Sequence, residues 1–122
     1  MTWDLTSDRP IYAQLIEQIE LRICKGVYPP GSKISSVRDL AQEASVNPNT
    51  MQRALSALED AGLLYSQRTS GRFVTEDVEM IKKTKTKLAQ EHIQAFLKKM
   101  SELGFGHAEI IDTLNKMSGG EQ

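Results

Sequence analysis

The sequence predicts a mainly α-helical protein with one small β-hairpin, divided into an N-terminal domain over residues 1–75 and a helical tail over residues 76–122. Two observations support this fold class. Three segments with helical apolar spacing precede two short strand patterns around a glycine-containing turn, and helical spacing resumes after residue 76. At 122 residues the chain is long enough for one domain and a short appendage.

The composition is that of an ordinary globular protein and excludes several functional classes. Hydrophobic residues make up 39% and charged residues 25%, and no apolar run approaches the roughly 20 residues of a membrane span. The first ten residues lack the apolar stretch of a secretory signal, and Cys24 is the one cysteine, so we expect a cytoplasmic protein. We expect no catalysis, because the sequence has no Gly-rich phosphate loop, HExxH motif or nucleophile elbow.

The net charge of −1 neither predicts nor excludes a nucleic-acid partner. Residues 1–75 contain eight basic and eight acidic side chains, and residues 76–122 contain seven basic and eight acidic ones. A polyanion responds to the local clustering of positive groups rather than to the net charge. The lysine run Lys82–Lys87 is interpreted as a solvated helix face rather than a backbone-binding patch.

The first two helices are predicted from their ends and their apolar spacing. Asp8 is the candidate N-cap of the first helix, Pro10 lies in its first turn, and Gly26 ends it. The segment VYPPGSK then predicts a turn. The second helix follows in SSVRDLAQEAS, where Ser36 as N-cap and Asp39 three residues later form a capping-box pattern. The aromatic residues expected to cover the first helix, rather than to bind a ligand, are Trp3, Tyr12 and Tyr28.

The third helix carries an apolar seam and a polar outer face. Asn47 is a favoured N-cap, Pro48 suits the first helical position, and Gly62 ends the helix. The residues spaced to form the buried seam are Met51, Ala54, Leu55 and Leu58. The helix then turns the following polar residues outward: Asn49, Thr50, Gln52, Arg53 and Ser56.

Two short strands are predicted after the third helix. They cover Leu63–Ser66 and Arg72–Val74, with Thr69, Ser70 and Gly71 in the turn and an arginine on either side of it, Arg68 and Arg72. Three helices followed by a hairpin are the order of a winged helix-turn-helix, whose last helix enters the DNA major groove while the hairpin, or wing, reaches the backbone or minor groove. The same fold also serves as a protein–protein interaction module, which we retain as the alternative.

Two stretches of the sequence resemble the N-terminal domain of the GntR-family bacterial transcription regulators. GVYPPGSKISSVRDLA follows the pattern G-x-Y-x-P-G-x-x-(apolar)-x-S-x-R-x-L-A, and NPNTMQRALSALEDAGL follows N-x-x-T-(apolar)-x-R-A-L-x-x-L-E-x-x-G-L. The resemblance covers residues 9–75. Ser35 stands where the family usually has proline, and Pro48 stands where some members carry a base-reading arginine. No base preference is therefore carried over from those members.

The resemblance implies DNA-binding roles for the residues that match the motifs. It implies that Ser36 and Arg38 meet the DNA backbone and that the wing around Gly71 approaches the minor groove. Arg68 and Arg72 are of the side-chain type that holds phosphates or reads base edges. The residues implied to lie at or in the major groove are Asn47, Asn49, Thr50, Gln52 and Arg53.

The tail resembles that of the YtrA-like subfamily of these regulators, which has two short helices and no large effector domain. One helical pattern runs from Val78 to Leu103, Gly104–Gly106 breaks it, and a second pattern follows. Two such helices bury little apolar surface alone, so we expect them to pack against a second copy of the chain in a homodimer. The expected dimerisation residues are Leu88, Ile93, Phe96, Leu97, Met100, Ile110, Ile111 and Leu114.

Together these features predict a dimeric repressor that binds a palindromic double-stranded DNA operator with half-sites about one helical turn apart. The resemblance implies a setting beside genes for ATP-binding-cassette transporters. No cofactor is expected, and no metal site, because His92 and His107 lack partners at ligand spacing. A small-molecule effector would bind at the dimer or interdomain interface, since we expect the tail to be too small to enclose a pocket of the roughly 300 Å³ or more that drug-sized ligands occupy.

Overall fold

The computed structural model describes residues 2–120, and its elements follow the predicted order of a winged helix-turn-helix and two further helices. In chain order they are α1 (Ile11–Cys24), α2 (Val37–Ala44), α3 (Pro48–Asp60), β1 (Leu64–Gln67), β2 (Gly71–Val74), α4 (Val78–Glu102) and α5 (His107–Gly120). The chain forms two compact units, Met1–Lys85 and Thr86–Gln122, and α4 runs through the boundary between them. The predicted fold class is confirmed.

The core of the first unit lies where α1 and α2 pack against α3. Leu15 and Ile19 of α1 are fully buried, as is the predicted seam of α3, from Met51 to Leu58. Leu63, Leu64 and Val74 bring the hairpin into the same core. Burying one such aliphatic side chain contributes about 1.5–3 kcal/mol, so this shared core fixes the arrangement of the three helices and the hairpin.

The caps of α2 and α3 form as predicted, whereas the predicted cap of α1 is wrong. The Asp39 amide donates to the Ser36 hydroxyl at 3.1 Å, and the Asn49 amide donates to the Asn47 side-chain oxygen at 2.8 Å. Helix α1 instead begins after Pro10, whose extended backbone makes no side-chain cap. Asp8 does not cap the helix because it lies two positions before the N-cap, in a bend, where its carboxylate accepts from the Thr6 hydroxyl.

An N-terminal strap, residues 2–10, is held against α1 by two glutamines of that helix. The Gln14 side chain accepts from the Thr6 amide at 2.8 Å and donates to the carbonyl oxygens of Thr6 and Arg9 at 2.8 and 2.9 Å. Gln18 makes the same two-way pairing with the backbone of Asp4. Because both side chains bond the strap as a neighbouring strand would, the strap covers the core without being part of a sheet.

Aromatic residues near α1 cover it, as the sequence predicts. Trp3 and Tyr28 are half-buried against the core. The guanidinium of the buried Arg22 lies 3.6 Å from the Trp3 ring centroid and 5.8 Å from that of Tyr28, and it donates to the Tyr28 hydroxyl at 3.0 Å. A buried cation is thereby enclosed by two aromatic faces, which attract it electrostatically.

The hairpin differs from its prediction by one residue at the start of each strand and at the end of the first strand. The strands are antiparallel, with Leu64 opposite Val74 and Gln67 opposite Gly71, so the turn contains residues 68–70. Gly71 was predicted in the turn but begins β2, and Arg68 was predicted to flank the turn but lies in it. The glycine keeps its turn-like positive φ of 104° and still pairs with Gln67, which the residue pattern alone does not distinguish from a turn position.

The segment before α2 bonds to the free edge of β2. The Val74 amide donates to the Ser32 carbonyl at 2.8 Å, and the Ile34 amide donates to the Arg72 carbonyl at 3.0 Å. These bonds bring the N-terminus of α2 beside the wing. The wing is therefore tied on both edges of β2 rather than projecting as an isolated hairpin.

The second unit contains the end of α4 and helix α5. Helix α4 ends as predicted: Gly104 has a φ of 87°, the Phe105 amide donates to the Met100 carbonyl at 3.0 Å, and the Gly104 amide donates to the Ser101 carbonyl at 2.9 Å. This pair of bonds is a Schellman motif. The Glu109 carboxylate then accepts from the Gly106 amide at 3.3 Å where α5 begins. The predicted break and the two predicted helices are confirmed.

Candidate nucleic-acid interface

The outer face of α3 is the most polar helical surface that the sequence analysis singled out, and the structure leaves it accessible. Asn49, Gln52 and Arg53 are exposed, and Thr50 is half-buried beside the fully buried Met51. Gln52 donates to the Ser56 hydroxyl at 3.1 Å along the same helix. Its side-chain oxygen and second N–H remain available, which is the pair of groups that an amide offers to an adenine edge.

Arg53 lies against an aromatic ring of another helix. Its guanidinium carbon is 3.7 Å from the ring centroid of Tyr12, which is half-buried on α1. Within residues 2–120, no carboxylate pairs with Arg53. The sequence indicates that Tyr12 covers α1, but residue spacing gives no sign of its contact with Arg53.

A groove of about 580 Å³ lies between the N-terminus of α2 and the wing. We call it the wing groove. It is lined by residues 33–37 on one side and residues 66–72 on the other. Ser36 and Arg68, both predicted DNA contacts, lie on opposite walls, and both are exposed. Exposed helix N-termini and cations are the groups that bind phosphates, so this groove can accommodate a polyanionic backbone.

Lys33 also lines the wing groove, and sequence analysis did not assign it a role. It is exposed and forms a β-bridge with Phe73 of the wing. In the sequence, Lys33 is recognisable only as a basic residue shortly before the N-cap of α2. Its position beside the wing depends on the pairing with β2, which the spacing of residues does not indicate.

Gly71 begins β2 at the edge of the same groove. A Cβ atom there would lie 3.1 Å from the Cε of Lys33, and the φ of 104° disfavours any residue with a side chain. A side chain at this position would have to displace the end of the Lys33 side chain by a few tenths of an ångström, so the φ angle is the stronger reason for glycine here.

Arg72 differs from the other predicted contacts because it is engaged inside the unit. Its guanidinium pairs with the Glu59 carboxylate, and its side chain is 17% exposed. The Ser66 hydroxyl donates to the same carboxylate at 2.7 Å. The Ser66 hydrogen bond, and after it the Arg72 guanidinium, hold the pKa of Glu59 below its ordinary value. Burial of the carboxylate raises the pKa, but by less than the Ser66 hydrogen bond lowers it. The Arg72–Glu59 pair therefore joins the wing to the end of α3.

Arg38 and Asn47 are the remaining predicted contacts, on α2 and before α3. Arg38 is exposed at the second residue of α2, one position after Val37, which packs against the core. Asn47 is exposed, and its side-chain oxygen is used by the cap of α3. Asn47 thus lies at the N-terminus of α3, where free backbone amides favour an anion.

The second unit contains an apolar groove of about 400 Å³, which we call the tail groove. Six of the eight predicted dimerisation residues line it together with His107: Ile93, Phe96, Leu97, Ile110, Ile111 and Leu114. Ile110 is buried at its base, whereas Ile93 and Ile111 are 55% and 59% exposed. Leu88 and Met100 are half-buried and lie outside the groove. The tail groove is open to solvent, so it does not contradict the expectation that the tail is too small to enclose a pocket.

Among residues 2–120, no group of three or more His, Cys, Asp or Glu side chains is arranged to hold a metal ion. None of the helices described is both long enough and apolar enough to span a bilayer.

A three-helix core with an exposed polar third helix and a tied wing defines the winged helix-turn-helix class of regulators. The family of bacterial regulatory proteins named gntR matches residues 11–74, which is more than half of the chain, and this chain belongs to that family. It is a DNA-binding transcriptional regulator of the short, YtrA-like type and not an enzyme. The protein-interaction alternative is thereby set aside as the primary role.

Two relatives from Bacillus subtilis (strain 168) illustrate the similarity. The chain is 37% identical to the HTH-type transcriptional regulator YhcF over 114 residues, which cover 93% of this chain and 94% of YhcF. It is 39% identical to the HTH-type transcriptional repressor YtrA over 74 residues, which cover 61% of this chain and 57% of YtrA.

Two solved structures resemble the fold. A GntR family transcriptional regulator from Listeria monocytogenes superposes with a TM-score of 0.86 at 36% identity and covers 92% of this chain and 98% of its own. The DNA-binding domain of AraR, solved in complex with operator ORE1, superposes with a TM-score of 0.53 at 35% identity and covers 62% of this chain and 94% of its own.

Proposed function

We propose that this regulator acts in the cytoplasm as a homodimeric repressor of a palindromic DNA operator. In this proposal each copy inserts the outer face of α3 into the major groove of one half-site, and the tails join the two copies. The observation that carries the proposal is the exposed polar face of α3, opposite its buried seam, in the same unit as the wing groove. The similarity to YtrA, which is named as a repressor, and to the DNA-binding domain of AraR in complex with operator ORE1 supports the same assignment.

The proposed DNA contacts divide into two sets. Backbone contacts come from the N-terminus of α2, with Ser36 and Arg38, and from the wing groove, with Lys33, Arg68 and the backbone at Gly71. Base-edge contacts come from the outer face of α3: Asn49, Thr50, Gln52 and Arg53, with Asn47 at its end. Arg72 is assigned to holding the wing against α3, since its guanidinium is occupied by Glu59.

The proposed dimer uses the tail groove. Apolar side chains that surround an open groove lose contact with water when a second copy covers them, and each buried Å² contributes about 25 cal/mol. Six of the residues that the sequence predicts for dimerisation come together there, which supports a second copy as the occupant. Two-fold symmetry would then match the two half-sites of a palindrome.

We propose that the regulated operon includes genes for an ATP-binding-cassette transporter, because the chain resembles YtrA-like regulators. Repression requires only that the bound dimer occupy the promoter. A signal that changes the spacing of the two α3 helices by a few ångström would break register with successive major grooves and release the DNA.

Selection from a randomised DNA pool with the full-length protein tests the central proposal. We expect an enriched inverted repeat whose half-sites are about one helical turn apart. If each half-site neutralises about three phosphates, log K should fall with log salt at a slope of about −5. Enrichment of single half-sites without an inverted repeat would contradict the dimeric mode of binding, and absence of any enrichment from low to moderate salt would contradict the proposal as a whole.

A further inference from the structure

Tyr12 lies on α1, which contributes none of the proposed DNA contacts, yet its ring faces the guanidinium of Arg53 on α3. We propose that Tyr12 is a positioning residue that orients Arg53 for reading a base edge. This inference rests on the proposed function, because it assigns to Tyr12 a part in the specificity of the same α3 surface. The contact joins two helices that are 41 positions apart at these residues, so neither helix alone specifies it.

The contact with Tyr12 leaves the recognition chemistry of Arg53 available. The guanidinium carbon lies 3.7 Å from the ring centroid, so the cationic group lies over the ring. An aromatic ring attracts a guanidinium without accepting the in-plane hydrogen bonds that a carboxylate takes from its five N–H donors. In the described part of the chain Arg53 has no carboxylate partner, so its charge is also uncompensated. Both features are required for bidentate contact with a guanine edge.

Arg72 shows the other way in which this unit fixes an arginine. Its Nε donor and its charge are both taken by the Glu59 carboxylate, and only 17% of its side chain is exposed. A carboxylate suits an arginine that anchors the wing, because it binds the same donors that DNA would use. An aromatic face suits an arginine that must bind something else, because it restrains the side chain and uses none of its donors.

The core holds the helix that carries Tyr12 in place before DNA binds. Tyr12 is half-buried in the first turn of α1, and Leu15 and Ile19 farther along that helix are fully buried against the seam of α3. Arg53 is an exposed side chain with many rotamers, whose ordering opposes binding. A ring already in place restricts those rotamers before DNA arrives, so part of the ordering occurs on folding.

The test compares Tyr12→Leu with Tyr12→Phe on the duplex most enriched by the wild-type protein. An exposed cation–π contact corresponds to about a two- to fivefold change in affinity. We expect Tyr12→Leu to weaken binding to that duplex by this factor and to reduce discrimination at the base pair that Arg53→Ala relaxes. Binding to an unrelated duplex should be unchanged. Tyr12→Phe keeps the ring face, so it should restore both affinity and discrimination.

A double-mutant cycle separates positioning from other roles of the tyrosine. If Tyr12 acts through Arg53, Tyr12→Leu has no further effect in an Arg53→Ala background. Additive losses would overturn the inference. So would an equal loss of affinity in Tyr12→Phe, since that result assigns the effect to a phosphate contact of the hydroxyl. An equal loss on every duplex would overturn it as well.

A measurement on the free protein distinguishes failure of this inference from failure of the proposed function. The ring current of Tyr12 should shift the Arg53 Nε–H and side-chain proton resonances upfield, and the shift should disappear in Tyr12→Leu but remain in Tyr12→Phe. Its absence from the wild-type spectrum would overturn the contact between ring and guanidinium even when the protein selects DNA. A wild-type protein that shows the shift but selects no DNA would instead overturn the proposed function and the reading role built on it. Circular dichroism melting of each variant checks that the helices are retained.

Discussion

The two compact units of this protein differ in how far they bury their apolar side chains. In the first unit α1, α2, α3 and the hairpin share one closed core, in which Leu15, Met51 and Leu55 have no exposed surface. In the second unit Ile93, Ile111 and Leu114 remain about half exposed around the tail groove. The first unit can satisfy its hydrophobic surface within one chain, whereas the second has the surface of an interface that lacks its other half.

Apolar spacing and the number of packed elements have separate effects in this chain. Spacing of apolar residues at helical intervals occurs in both units, but only the first has enough elements to enclose them. Two helices cannot close a core on themselves, so the same pattern produces an open groove. An apolar periodicity therefore predicts which residues will be covered, while the number of neighbouring elements decides whether the cover comes from the same chain.

Removal of a buried leucine should give the largest effect. Leu55→Ala deletes a fully buried side chain and should destabilise the first unit by about 2–5 kcal/mol, measured by urea unfolding followed by circular dichroism. Measured on the monomer, at protein concentrations below the dimer dissociation constant, the same substitution at the half-exposed Leu114 should change that unfolding transition by less than about 1 kcal/mol. Equal losses at the two positions would mean that the units do not differ in closure.

A charge in the tail groove should break the proposed dimer. Phe96→Asp places a carboxylate beside Ile93 and Ile110, and we expect the dimer dissociation constant to rise by about 30-fold or more, or about 2 kcal/mol. Sedimentation equilibrium measures this constant. Leu103→Asp is the matched control, because Leu103 is 72% exposed and lies outside the groove. Dissociation by Leu103→Asp but not by Phe96→Asp would place the interface elsewhere on the tail.

Loss of a base-edge contact on α3 should weaken binding to the operator without changing dimerisation through the tail. Gln52→Ala should weaken binding to the selected operator by about 1–3 kcal/mol and relax preference at one base pair. Arg38→Ala should instead weaken binding to all duplexes similarly and reduce the salt slope by about one. Competition binding with operator and random duplexes distinguishes the two patterns, and a uniform loss in Gln52→Ala would remove it from the base-reading set.

The tie between the wing and α3 should give the smallest effect, and it should depend on pH. Glu59→Gln removes the carboxylate that Ser66 and Arg72 share, and we expect a loss of about 1 kcal/mol at neutral pH, since the pair is only partly buried. Because the folded pKa of Glu59 is lowered, its contribution is present above the ordinary value of 4.5 and is lost as the pH falls through the folded pKa. Urea unfolding of both proteins should therefore converge below pH 4.5. A constant difference down to pH 2 would argue against a stabilising role for the charge.

The sequence predicted the features that depend on a few consecutive residues. The caps at Ser36 and Asn47, the seam of α3 and the helix break at Gly104 all follow from local hydrogen bonding and helical spacing, and all are present. The predicted domain end at residue 75 coincides with the end of the hairpin, but the compact first unit continues to Lys85 because Ile81 of α4 is buried in its core. A truncation that tests the first unit alone should therefore end after Lys85.

Features that depend on distant residues could not be read from the pattern. Arg72 was grouped with the exposed wing arginines, but Glu59, 13 positions earlier, takes its guanidinium. The positions of Lys33 beside the wing and of Tyr12 beneath Arg53 likewise follow from packing between separate elements. Residue type indicated that these side chains could bind DNA or cover a helix, and only the tertiary contacts assign each one a partner.

The way Gln14 holds the N-terminal strap makes the exchange of a single side-chain atom consequential. Its side-chain oxygen receives the Thr6 amide, while its nitrogen donates to the Thr6 and Arg9 carbonyl oxygens. Deamidation to glutamate would leave the size and shape of the side chain nearly unchanged but replace that donor with a second acceptor. Two carbonyl oxygens would then face a carboxylate. The strap thus distinguishes two nearly isosteric side chains by hydrogen-bond polarity alone, at a position that is only 2% exposed.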